Sequence, residues 1–122
     1  MVRHALIALA AGAAIAAPAS IAAPSAERGI GATVKVVDFE FRDDDVRVSS
    51  GQRIKFRWSP KNASPHNVTL REGPDGVRMK DFTSITGTTS VRFEPRFAER
   101  GEYMFRCTIH PDLMRLDVSV GR

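Results

Sequence analysis

Cys107-Thr108-Ile109-His110 sets a thiol and an imidazole three residues apart, where an alternating apolar stretch runs out into a loop containing Pro111. At that spacing both side chains can turn toward one point while the backbone between them stays short. Met114 lies four residues beyond His110 and shares the parity of Leu116, Val118 and Val120, so its thioether is expected to point inward. Met104 has the opposite parity to Cys107 and is expected to point outward. His66 stands about 40 residues upstream, at the end of a loop. Two imidazoles, one thiolate and one thioether suit a soft, tightly held transition metal, copper ahead of zinc. A trigonal His2Cys set with a weak axial Met is the blue-copper donor arrangement.

The elements that must position these residues begin after the N-terminus. Arg3 and His4 precede an apolar run from Ala5 to Ala17, and Ala17-Pro18-Ala19 offers small residues at the two positions a signal peptidase reads. Residues 1–19 are therefore expected to be a secretory leader, with cleavage somewhere between residues 19 and 24, and the mature protein is expected in the periplasm or secreted. The run is too short and too alanine-rich for a comfortable span, which needs about 20 strongly apolar residues. Its loss removes Arg3, so the formal net charge of +4 falls to +3, mildly basic and far from a nucleic-acid-binding balance. It also removes one of the three histidines, leaving His66 and His110 beside the single Cys107. One cysteine excludes a disulfide framework within the chain. A free thiol in an oxidising compartment needs a reason to exist, and metal ligation supplies one.

Residues 20–31 read as a flexible N-terminal segment and 32–122 as one domain. In that domain, short stretches rich in Val, Ile, Phe and Thr alternate with Gly, Pro, Asp and Ser, and no helical period is sustained. The first stretch, Thr33 to Phe41, changes parity between Val34/Val36 and Val37/Phe39/Phe41, which suits a bulge or a strand crossing between sheets. Asp43 to Asp45 reads as a turn. Ile54, Phe56 and Trp58 alternate with Arg53, Lys55 and Arg57, giving one apolar and one basic face. Val68/Leu70, Val91/Phe93, Tyr103/Phe105/Cys107 and Leu116/Val118/Val120 follow, whereas Val77 to Thr89 reads as irregular. Phe97 and Trp58 are expected in the core. About seven to eight short strands in about 100 residues predict an all-β fold, an antiparallel Greek-key β-sandwich.

Asn67 after His66, the run Gly101-Glu102-Tyr103-Met104-Phe105-Arg106-Cys107, and Cys107-Thr108-Ile109-His110-Pro111 with Met114 together resemble the small cupredoxins, the plastocyanin, pseudoazurin and amicyanin group. Val37-Asp38-Phe39 and Gly51-Gln52-Arg53-Ile54-Lys55-Phe56 resemble the first strands of that family, so the likeness extends over nearly the whole mature chain. The resemblance implies one type 1 copper held by His66, Cys107 and His110, with Met114 axial. It implies that Asn67, together with Thr108, ties the ligand loops and supports a hydrogen bond to the Cys sulfur, a role outside the ligand set itself. It implies electron exchange with protein redox partners through His110 in a patch with Pro111 and Leu113. The four-residue gap from His110 to Met114 departs from the three of amicyanin-like loops and the five of plastocyanin-like loops.

A soluble, monomeric one-electron carrier that is not an enzyme is the expectation. A copper delivery or sequestration protein could use the same ligands, a His2Cys zinc enzyme would need a base beside them, and a metal-free interaction module would need none of them. The Arg53/Lys55/Arg57 face is either a solvated sheet surface or a seat for an acidic redox partner. Asn62-Ala63-Ser64 and Asn67-Val68-Thr69 match the N-glycosylation pattern, and a glycan on Asn67 would block the site.

Overall fold

The computed structural model describes Gly12 and residues 29–121. The expected leader and its cleavage site, and the flexible segment up to residue 28, otherwise lie outside the described residues. Eight strands follow in order: β1 Ile30–Val37, β2 Glu40–Arg42, β3 Asp45–Ser49, β4 Arg53–Trp58, β5 Thr69–Glu72, β6 Arg92–Phe93, β7 Gly101–Arg106 and β8 Arg115–Gly121. They form two four-stranded sheets, β2-β1-β4-β6 and β3-β8-β7-β5, packed as a Greek-key sandwich. The ladders are antiparallel except for two parallel pairs, β1 with β4 and β3 with β8. β1 starts at Ile30, slightly ahead of the domain start read at residue 32.

The alternating stretches bury the faces their parity predicts. Val34, Val36, Ile54, Phe56 and Trp58 of the first sheet meet Val46, Val48, Leu70, Tyr103, Phe105, Leu116, Val118 and Val120 of the second, all in the core. Phe97 is fully buried, its ring 5.1 Å from Phe82 and 5.0 Å from Tyr103 between centroids. The Tyr103 hydroxyl donates to the Glu99 carbonyl at 2.6 Å, pinning the turn that feeds β7.

The first stretch is not one strand with a bulge. β1 and β2 form a tight hairpin in which Val36 faces Phe41 and Val37 faces Glu40, with Asp38-Phe39 as its turn. Phe39 adopts φ 68°, which reverses the chain and accounts for the parity change. The crossing to the second sheet comes later, at the acidic turn, where Asp43 has φ 62°. The irregular stretch from Val77 to Thr89 holds one 3₁₀ turn, Met79–Phe82, which drops Phe82 into the core. It is otherwise stitched by isolated bridges, including His66 to Gly87 and Thr69 to Thr83.

Candidate metal centre

Three loops meet at one end of the sandwich. The first is the Asp38-Phe39 turn, the second leads from β4 through His66 to β5, and the third links β7 to β8 and carries Cys107, His110 and Met114. His66, Cys107 and His110 each present a ligand atom, and these atoms lie within 4.8 Å of one another. Cys107 Sγ is 3.8 Å from His110 Nδ1. His66 and Cys107 are fully buried, and His110 is half-buried, so only one imidazole reaches the surface.

The β7–β8 loop is closed by its own backbone. The Cys107 amide donates to the Met114 carbonyl at 3.2 Å, continuing the antiparallel ladder by one bond. The His110 carbonyl accepts from the amides of Leu113 at 3.2 Å and Met114 at 3.0 Å. An i to i+4 bond makes one helical turn, and at about 3.6 residues per turn it returns residue 114 to the side of residue 110. The four-residue gap is thus one closed turn, and it leaves Met114 fully buried at the head of β8.

Asn67 holds the second and third loops together. Its backbone amide donates to Cys107 Sγ at 3.5 Å. Its side-chain nitrogen donates to Thr108 Oγ1 at 2.7 Å and Thr86 Oγ1 at 3.0 Å, while Oδ1 accepts from the Thr108 amide at 3.0 Å and the Thr69 hydroxyl at 2.9 Å. Both donors and both lone pairs of the amide are used, so the group is fully satisfied at 4% exposure. Asn62 is equally committed, donating to the carbonyls of Val36 and Thr88. Neither nitrogen is open to a glycan in the folded chain.

Asp38 and Phe39 were not among the site residues expected from sequence. Asp38 Oδ1 lies 2.8 Å from His66 Nε2, and the same carboxylate accepts from the amides of Ala63 at 2.9 Å and Ser64 at 3.2 Å. The Ala63 amide, then the His66 ring, and to a lesser extent the Ser64 amide hold the Asp38 carboxyl below its ordinary value of 3.8. An acceptor at Nε2 requires the proton on that nitrogen and turns the Nδ1 lone pair inward. His66 Nδ1 is buried and has no hydrogen-bond partner among the described residues. An orphaned imidazole nitrogen beside a cysteine sulfur and a second imidazole is what a soft metal ion would satisfy, so the donor set fits one.

The Phe39 ring meets both histidines edge-on, His66 at 6.2 Å and 86° and His110 at 5.1 Å and 89°. A bulky residue at positive φ is costly, and the turn that imposes it places Asp38 and Phe39 on the histidines together. The sequence signal was the collision of parities at Val37-Asp38-Phe39. Phe39 at 47% exposure, Ile109 at 43% and Leu113 at 64%, with exposed Pro111, ring the His110 edge in an apolar patch.

Comparison with known proteins agrees with this geometry. The family model for copper binding proteins of the plastocyanin/azurin family matches residues 29–121. Amicyanin-alpha of Methylorubrum extorquens is 35% identical over 78 residues, which are 64% of this chain and 62% of that protein, so the match spans less than two thirds of the relative. Among solved structures, an oxidized amicyanin variant superposes with a TM-score of 0.61 at 25% identity, over 81% of this chain and 88% of that one. A copper-containing nitrite reductase from Thermus scotoductus gives a TM-score of 0.64 at 20% identity, over 76% of this chain and 23% of the enzyme. The fold therefore occurs both in small copper proteins and as a part of a copper enzyme.

Proposed function

The chain belongs to the plastocyanin/azurin family of copper-binding proteins, and from that premise we propose that it is an exported, monomeric carrier of single electrons with one type 1 copper. His66 Nδ1, Cys107 Sγ and His110 Nδ1 would be the strong donors, and Met114 would supply a weaker thioether donor. The observation that carries the reading is the convergence of three donor residues, one of which, His66, has a buried imidazole nitrogen with no hydrogen-bond partner among the described residues. A copper ion so bound supplies a reversible one-electron couple.

The protein's part is to hold the donors still through that change. Asp38 fixes the ring plane of His66, Asn67 locks the Cys107 loop, and the 110–114 turn fixes Met114. Little has to move when charge changes, which is the condition for fast outer-sphere exchange. Electrons enter and leave at the His110 edge, where the apolar patch lets a partner approach closely and exclude water.

A copper delivery role would need a loosely held Met114, and the closed turn that buries it favours a carrier instead. Catalysis at copper as in the nitrite reductases would need a further histidine-rich centre. The chain has three histidines in all, two of them in this cluster, so one subunit cannot build a second centre of that kind. The His2Cys zinc enzyme is disfavoured because the carboxylate bonded to a ligand residue, Asp38, is engaged on the outer nitrogen of the His66 ring.

The test is the visible spectrum of the leaderless protein with one equivalent of Cu(II), alongside Cys107→Ser. An intense blue or green band that the variant lacks is the expected result, and a colourless protein that retains no copper would overturn the reading. Mass determination of the N-terminus after export checks cleavage between residues 19 and 24.

A further inference from the structure

The two sheets carry very different charge. On the strands of the second sheet, Asp45, Glu72, Glu102 and Asp117 balance Arg47, Arg71, Arg106 and Arg115. On the strands of the first sheet, Lys35, Arg42, Arg53, Lys55, Arg57 and Arg92 face a single acid, Glu40. The imbalance is organised by register. Arg42 stands opposite Lys35, Lys35 opposite Arg57, and Arg57 opposite Arg92, so four cations form one row across all four strands. All four are exposed. Of these four, only Arg42 has an ion-pair partner among the described residues, Glu40 at 2.8 Å, and that pair is open to solvent.

Strands lie about 4.8 Å apart, so each cation in the row sits next to another of like sign. Directly opposed like charges destabilise a sheet; the second sheet has such pairs of both signs, Asp45 with Asp117 and Arg106 with Arg115, whereas the row on the first sheet is of one sign from edge to edge. The face also offers little apolar surface to a lipid, Val37 being half-buried and the exposed Ile30 standing at the end of β1 away from the metal centre. Its position is informative too. Lys35 and Arg42 flank the hairpin whose turn packs on His66 and His110, and Lys61 lies on the loop leading to His66. Lys35, Arg42, Arg57 and Lys61 line one shallow depression at that end of the sheet.

We propose that this row is the docking surface for an acidic face of a protein partner, which sits on the first sheet with its edge beside the metal centre. The Arg53/Lys55/Arg57 stretch is only one column of this surface, and Arg53 is partly committed, donating to the Glu94 carbonyl at 3.0 Å. That the partner is an electron donor or acceptor rests on the carrier reading; that it is acidic rests on the row alone.

The experiment titrates the copper-loaded, reduced protein with a polyglutamate peptide and follows backbone amide shifts by NMR. Shifts concentrated on β1, β2, β4 and β6 are expected, and they should vanish as salt rises from about 20 to about 200 mM. Lys35→Glu/Arg57→Glu should weaken binding about tenfold or more, and the neutral Arg57→Gln/Arg92→Gln by a smaller factor. The neutral pair relieves like-charge opposition, and the reversed pair sets two carboxylates opposite each other but gives each an oppositely charged outer neighbour, Arg42 or Arg92; an unchanged visible spectrum checks that both variants fold. Arg47→Glu/Arg115→Glu on the balanced sheet should bind as the parent does. Shifts spread over both sheets, equal weakening by the second-sheet variant, or binding to phosphatidylglycerol vesicles without binding to polyglutamate would each overturn the proposal. Localised polyglutamate binding by a protein that shows no copper band would sink the carrier reading and leave the acidic partner standing.

Discussion

Asn67→Ala removes four side-chain hydrogen bonds from the junction of the ligand loops, and their surroundings set the cost. Three of the partners are the hydroxyls of Thr69, Thr86 and Thr108. Thr86 and Thr108 are exposed and Thr69 is half-buried, so these hydroxyls can turn to water. Each such bond is worth about 0.5 kcal/mol, the low end for an intramolecular hydrogen bond. The fourth partner, the partly buried Thr108 amide, cannot rotate, and leaving it unpaired costs about 1–3 kcal/mol. The sum is about 3 kcal/mol, or about 15 °C of thermal midpoint for a domain of this size. Denaturant unfolding of the metal-free protein measures it, and amide exchange at Thr108 should lose its protection in parallel. Because the backbone amide that reaches Cys107 Sγ survives the substitution, the copper band should persist while copper affinity falls about tenfold. A loss below about 1 kcal/mol with the Thr108 amide still protected would refute the claim that this side chain holds the two loops together.

Three other outcomes follow from the packing and the site. Phe97→Ala empties a fully buried site among Phe82, Tyr103 and Phe105 and should cost about 3–5 kcal/mol in denaturant unfolding, with no change in the ligand cluster. The folded Asp38 carboxyl titrates below its ordinary value of 3.8, so between the two values the unfolded chain binds more protons. Its stabilising contribution is therefore complete above the unfolded-state value and is lost as pH falls through the folded one; Asp38→Asn should flatten that part of the metal-free protein's acid unfolding curve, and an unchanged curve would count against the contact. Leu113→Glu, at a side chain 64% exposed, should change stability by less than about 0.5 kcal/mol yet slow electron self-exchange of the copper protein markedly, since it puts charge where two molecules must touch.

The faces of β4, β7 and β8 were legible because a half-buried strand writes its burial in period two, and Ile54/Phe56/Trp58 and Leu116/Val118/Val120 allow one reading. Cys107, His110 and Met114 were legible for a related reason: they are close in sequence, and a short loop leaves them few arrangements. The family likeness rested on these local runs. Phe82 was not legible, because a single aromatic in an irregular stretch carries no period.

Tertiary structure decided the rest. Asp38 and His66 are separated by 27 intervening positions, and nothing local says that a hairpin turn in the first sheet delivers a carboxylate to that ring. The cation row is likewise invisible in the chain, since Arg42, Lys35, Arg57 and Arg92 become neighbours only through strand register. Sequence by itself determined which residues could bind a metal and which faces are buried, since donor chemistry and strand period are properties of residue type and local spacing. Which acceptor orients a histidine and which charges share a surface depend on pairing between distant strands, and only the closed sandwich sets those distances.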